Sequence, residues 1–181
     1  YGFGIRSATH KGLYTQHFGL LFLPLFVGAF AQLLRGQKQR LWSTSALFSL
    51  ATMSHLWVGL YAALCAAMLV LSQPKKSLGR WRDVSTAATI STITLAWWLL
   101  PLIATNHYAG GLPWMQELHH GWPWQKTLER LLEGSIFDST RPPILTALAG
   151  IGLVVIGRNW RVQMCRFYLL LLCTTGLLFS G

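Results

Sequence analysis

LWSTSALFSLATMSHLWVGLYAALCAAMLVL, residues 41–71, decides how the rest of the chain is read. This run of about 31 residues contains no charged side chain. As one straight helix it would extend about 46 Å, against a hydrocarbon core of about 30 Å. Basic residues flank both ends: Arg35, Lys38 and Arg40 before it, Lys75, Lys76, Arg80 and Arg82 after it. Basic loops are retained on the cytoplasmic side, so both flanks belong on one side of a membrane. A segment that begins and ends on the same side is not a single span. The reading is a re-entrant hairpin of two short helices, 41–53 and 56–72, with the polar pair Ser54-His55 at the turn.

The composition agrees with a membrane setting. The chain of 181 residues is 52% hydrophobic and only 11% charged, with nine Trp, whereas a soluble domain carries roughly 25% charge. The net charge of +10 does not point to nucleic acid. Of the fifteen Lys and Arg, ten fall in three short stretches, 35–40, 75–82 and 158–166. That clustering is a topology signal, and it favours anionic lipid headgroups as partners. Cys65, Cys165 and Cys173 all lie in or beside apolar segments, with no metal-ligand spacing, and read as small packing residues. No cofactor or phosphate-loop motif is present.

Outward from the hairpin, 18–34 is apolar and just long enough to span, with Pro24 inside it. Residues 84–105 form the next crossing, rich in Ser and Thr early and in Trp late. Small hydroxyl side chains let membrane helices approach closely. Residues 106–143 make one long polar segment on the outer side, holding four of the five acids. Within it, Trp124, Leu128, Leu131 and Leu132 recur at i, i+4, i+7 and i+8, the pattern of a short amphipathic helix lying at an interface. Two shorter apolar runs follow, 144–157 and 167–180, separated by Arg158, Arg161 and Arg166. The expected fold is therefore all-α and integral to the membrane. It has about six hydrophobic helices in one transmembrane domain, with Tyr1, the 106–143 loop and Gly181 on the outer side. The chain starts at Tyr and its last apolar run has no polar flank, so it reads as an internal piece of a longer protein.

Candidate functional residues are those assigned to the outer face or to membrane depth. His55 reads either as a group lining a polar cavity or as a turn histidine satisfied by Ser54, Thr52 or a carbonyl; polar groups at that depth need partners. Tyr14, Gln16 and His17 form a polar cluster beside the first span, suited to holding a sugar or to an interfacial belt. Asn106 and His107 are a helix terminator or a cavity rim. Glu117, His119 and His120 are metal-ligand types without a further ligand at known spacing, so no metal is expected. Asp138 is a cap or a base without an identified partner.

Several motifs carry a family resemblance. GLYTQHFGLLFLPLFVGAF resembles the Gly-x-Tyr-x-Gln…Leu-Pro-Leu segment of large bacterial membrane proteins with the GT-C glycosyltransferase architecture, among them the 6-pyruvoyl-tetrahydropterin synthase-related membrane proteins and the YfhO-like proteins. LATMSHLWVGLYAAL is similar to that family's Ser/Thr-His turn, AWWLLPLIATNHYAG to its Trp-Leu-Leu-Pro helix end, and LLEGSIFDSTRPPILTALAGIGLVV to its Gly-x-x-Phe-Asp…Pro segment. The resemblance implies a multi-pass protein of the bacterial inner membrane that transfers a sugar from a polyprenyl-phosphate donor. It places the family's acidic base in a loop upstream of Tyr1, so no residue here takes that role. A lipid or polysaccharide transporter and a non-catalytic assembly subunit are the alternatives.

Overall fold

The structure is a computed structural model of the chain, and it describes residues 14–105, 123–133 and 144–179. The described residues are helical, with no strand among them. The helices are α1 (Tyr14–Leu34), α2 (Leu41–Ser54), α3 (Leu56–Ser72), α4 (Pro74–Leu78), α5 (Trp81–Ala104), α6 (Trp124–Leu132), α7 (Ile144–Arg158) and α8 (Gln163–Phe179). The chain divides into two compact units, Tyr1–Ala109 and Gly110–Gly181.

The first unit is built by sharp reversals at positions that the backbone chemistry dictates. After α1 the Gln37 N–H donates to the Gln32 carbonyl at 3.1 Å, and the Gly36 N–H to Leu33 at 2.8 Å. This is a Schellman closure, which needs a left-handed residue, and Gly36 supplies it at φ +97°. A turn of 3-10 helix over Lys38–Arg40 then leads into α2. The long apolar run breaks at His55, whose φ of −163° and ψ of 122° are extended. The His55 carbonyl accepts the Gly59 N–H at 3.1 Å, opening α3. α3 stops where Pro74 begins α4, and the Ser77 hydroxyl donates back to the Val70 carbonyl at 3.2 Å.

These reversals order the helices end to end. α1 and α2 run antiparallel, their contact centred on Phe26 and Phe48 with ring centroids 5.3 Å apart. At the far end Gly19 of α1 lies against Val58 of α3, so close that a Cβ on Gly19 would sit 3.1 Å from the Val58 Cβ. α2 and α3 pack against each other as a hairpin, and Gly59 nests against Thr52. α5 starts where α1 ends, since the Arg80 guanidinium lies over Gly36. It then runs along α2. Here the Ser45 hydroxyl donates to the Ala87 carbonyl at 3.1 Å, and Ser91 lies one turn further on.

Helix lengths and burial follow one pattern. At 1.5 Å per residue α2 and α3 extend about 21 and 26 Å, short of a hydrocarbon core of about 30 Å. Two helices, Thr15–Leu34 within α1 and Trp81–Ala104, are long and apolar enough to cross a membrane. The interior combines large apolar side chains, among them Phe26, Phe30, Leu33, Leu34 and Leu69, with small and hydroxyl ones: Thr44 and Ser45 are each 2% exposed and Ser91 5%, beside Ala51, Ala62 and Ala87. The exterior is aliphatic and aromatic, with Ile93 at 69% and Trp97 at 65% exposure. An apolar exterior on this scale marks a surface for lipid or for a partner.

In the second unit α6 occupies the amphipathic segment, with Leu128 and Leu132 exposed. α7 and α8 pack together across a tight turn in which the Val162 N–H donates to Asn159 at 2.8 Å. Several basic residues expected in loops are helical instead. Lys75 and Lys76 lie on α4, Arg82 on α5 and Arg166 on α8. Hydropathy ends at the last apolar residue, whereas backbone hydrogen bonding continues: Val84 N–H reaches the Arg80 carbonyl at 3.1 Å, and Arg166 N–H reaches Val162 at 3.0 Å.

Candidate functional site

Every charged side chain in residues 14–105 lies at one end of the first unit. Arg35 and Lys38 follow α1, Arg40 precedes α2, Lys75 and Lys76 follow α3, and Arg80, Arg82 and Asp83 open α5. The contact of Arg80 with Gly36 ties these segments together. Asp83 is the single acid among them, 3.7 Å from Arg80. Lys38, Arg80, Arg82 and Asp83 line a cavity of about 380 Å³. The Arg82 guanidinium stands 5.6 Å from the Trp81 ring centroid, within cation–π range.

Among the described residues the opposite end is polar and uncharged. The Gly19–Val58 contact brings the first turn of α1 and the start of α3 together there. Gln16 and His17 are half-buried on that first turn, and His55 is half-buried at the helix break. Tyr14 is the first residue of α1, and its side chain lies outside the described residues. Tyr14, Gln16 and His17 thus belong to the helix rather than to a loop before it. The nearest hydroxyls are committed elsewhere: Thr52 donates to Phe48 at 2.8 Å and Ser54 to Leu50 at 2.7 Å. His55 Nδ1 is buried with no hydrogen-bond partner among the described residues. Asn106 and His107 lie outside the described residues, as do Glu117, His119, His120 and Asp138. Among the described residues no group of His, Cys, Asp and Glu could hold a metal ion.

Between the two ends runs a groove of about 500 Å³. Its walls are the facing sides of α3 and α5, its floor is Thr44, Phe48 and Thr52 of α2, and Phe26 and Phe30 close one side. Leu60, Ala63 and Ala66 line the α3 wall; Val84, Ala88, Thr92, Leu95 and Leu99 line the α5 wall. The side chains are small or apolar, and most hydroxyls are spent on backbone: Thr92 donates to Ala88 at 2.9 Å and Ser91 to Ala87 at 2.9 Å. Thr44 Oγ1, on the floor, is buried with no hydrogen-bond partner among the described residues. The groove was not visible to a reading by hydropathy. Its trace in the sequence is small side chains on both walls, Ala63 and Ala66 on α3 and Ala87, Ala88 and Ser91 on α5, in segments that otherwise read as uniform spans.

Chemically, the polar end offers an imidazole and an amide that can bond hydroxyl or phosphate oxygens. Residues 14–105 supply it with no carboxylate. Comparison with family models, with curated proteins and with solved structures finds no match to this chain.

Proposed function

We propose that the protein is a multi-pass component of the bacterial inner membrane, acting in GT-C-type transfer of a sugar from a polyprenyl-phosphate donor. In this reading the basic end of the first unit faces the cytoplasm, and α2 and α3 form a hairpin that re-enters from that side. The polar end, with Gln16, His17 and His55, faces the outer side and contacts the sugar or its phosphate. One observation carries the membrane part: all eight charged groups of residues 14–105 lie at one end of a bundle whose flanks are apolar. Seven of the eight are Lys or Arg, and basic residues gathered at one end are what orientation in a bilayer selects. The activity itself rests on the motif resemblance and on the half-buried His55, whose Nδ1 has no hydrogen-bond partner among the described residues.

A second reading has its own support. Sugar transfer needs a general base, and residues 14–105 place no carboxylate at the polar end. That favours a bundle which positions a lipid-linked substrate, or a partner subunit, while the base comes from elsewhere. A transporter is less favoured, because the apolar stretches of α1, α2, α3 and α5 contain no paired charges.

The test is transfer of labelled sugar by membranes carrying the full-length protein. His55→Ala is expected to lower transfer by roughly a hundredfold, the scale of losing one positioned polar group, at unchanged expression. Wild-type transfer by that variant would remove His55 from the site. No transfer by the intact protein, at full expression and with the donor supplied, would favour the assembly role.

A further inference from the structure

We infer that the cavity at the basic end of the first unit is a binding site for one phosphate ester, held by Lys38 and Arg82 beside the Arg80–Asp83 pair. The inference is separate from the sugar-transfer reading, because this cavity lies at the end of the unit away from Gln16, His17 and His55.

The site is built from two stretches far apart in sequence. Lys38 comes from the turn between α1 and α2, whereas Arg80, Trp81, Arg82 and Asp83 come from the start of α5, and all of them line one cavity of about 380 Å³. Arg80 fastens the two stretches, since its guanidinium lies over Gly36. Retention on one side of a membrane requires only that basic residues lie on that side. It does not require them to converge on a cavity, and Lys75 and Lys76 at the same end do not.

The charge around the cavity is unbalanced. Its lining holds three cations and one acid. Asp83, with a side chain 16% exposed, lies 3.7 Å from Arg80 and so answers one of the three. The Trp81 ring holds Arg82 at 5.6 Å, a contact that fixes the guanidinium without supplying a full negative charge. Lys38 is exposed, and Asp83 is the only acid in residues 14–105. Two cations are left over, on different segments and of different shape. A guanidinium offers paired N–H groups in a fixed fork and an ammonium offers a compact point charge. Tetrahedral phosphate oxygens can accept from both at once, which a planar carboxylate does less readily. Leu78 and Trp81 are exposed at the same cavity, so the organic part of the ester has apolar surface beside the phosphate. A lipid headgroup and a water-soluble phosphate ester share this chemistry.

The experiment is native mass spectrometry of the full-length protein in mild detergent, titrated with dioleoyl-phosphatidylglycerol or with glycerol phosphate, a water-soluble ester. One bound ester per chain is expected. Retention of phosphatidylglycerol alone would assign the site to a lipid headgroup, and saturable binding of glycerol phosphate would assign it to a soluble ester. The double variant Lys38→Gln/Arg82→Gln, altered at exposed positions, is expected to weaken binding about thirtyfold, the factor that two basic side chains contribute near a membrane surface. Lys75→Gln/Lys76→Gln removes the same charge from the same end but outside the cavity. It is expected to stay within about twofold of the wild type, because salt screens exposed charges that do not touch the ligand. No saturable binding of either ester would overturn the inference. Equal weakening in the two double variants would overturn it as well, by reducing the site to diffuse surface charge.

Discussion

At the scale of single residues, the bundle depends on positions where a side chain is missing or small. Gly59 is the tightest. A Cβ there would meet Thr52 at 2.6 Å from Oγ1 and 2.8 Å from Cα, and the Cα belongs to backbone that cannot swing aside. Glycine is therefore what lets α2 and α3 touch directly after the break at His55. Gly59→Leu is expected to destabilise the bundle by about 1–3 kcal/mol, the usual cost of overpacking. A lowered melting temperature in detergent is the readout, and an unchanged one would mean that the hairpin is looser than described. Ser45 and Ser91 play the complementary part. Their hydroxyls return to carbonyls, Ser45 to Ala87 and Ser91 to the same Ala87, so these two buried side chains are satisfied where α2 meets α5. Little of this was readable from the sequence. Ser and Thr at positions 85, 86, 89, 91, 92 and 94 look alike in a hydropathy profile. Only Ser91 of these is buried, because the contact stripe of α5 is Ala87, Ser91 and Leu95, and the other five fall off that stripe.

At the scale of elements, length and flanking charge were enough to divide the run at 41–71. The two halves have too few residues to reach across separately, and basic residues at both ends require a return. The helix accordingly breaks at His55, where the polar pair interrupts the apolar run. Helix starts were less legible, since the chain continues its backbone hydrogen bonds through Trp81, Arg82 and Asp83, which the apolar stretch 84–105 leaves out. The pairing of α1 with α3 was not legible either. It depends on Gly19 meeting Val58, two residues whose separation in sequence carries no pattern. That pairing has a direct check. With Cys65, Cys165 and Cys173 replaced, the pair Gly19→Cys/Val58→Cys brings Cβ positions to 3.1 Å, close to the 3.5–4.5 Å span of disulfides. Mild oxidation is expected to consume both thiols in a single intramolecular bond, seen as loss of alkylation by mass. Two reactive thiols after oxidation would contradict the α1–α3 contact.

At the scale of the whole molecule, the account turns on sidedness. Among the described residues of the first unit the cations gather at one end and the uncharged polar groups at the other, with the groove lying between. The candidate site was half legible. His55 stood out because an imidazole inside an apolar run has few partners, and its Nδ1 indeed has none among the described residues. The groove did not stand out, since empty space between helices leaves no residue type of its own. The central claim is that 41–72 leaves and returns to the same side of the membrane. Labelling single cysteines in intact cells and in inverted vesicles tests it most directly. Gln37→Cys and Lys76→Cys, both at exposed positions of the basic end, are placed one at a time in a cysteine-free background. Both are expected to react with an impermeant maleimide only in inverted vesicles; labelling of the two from opposite sides would contradict the account.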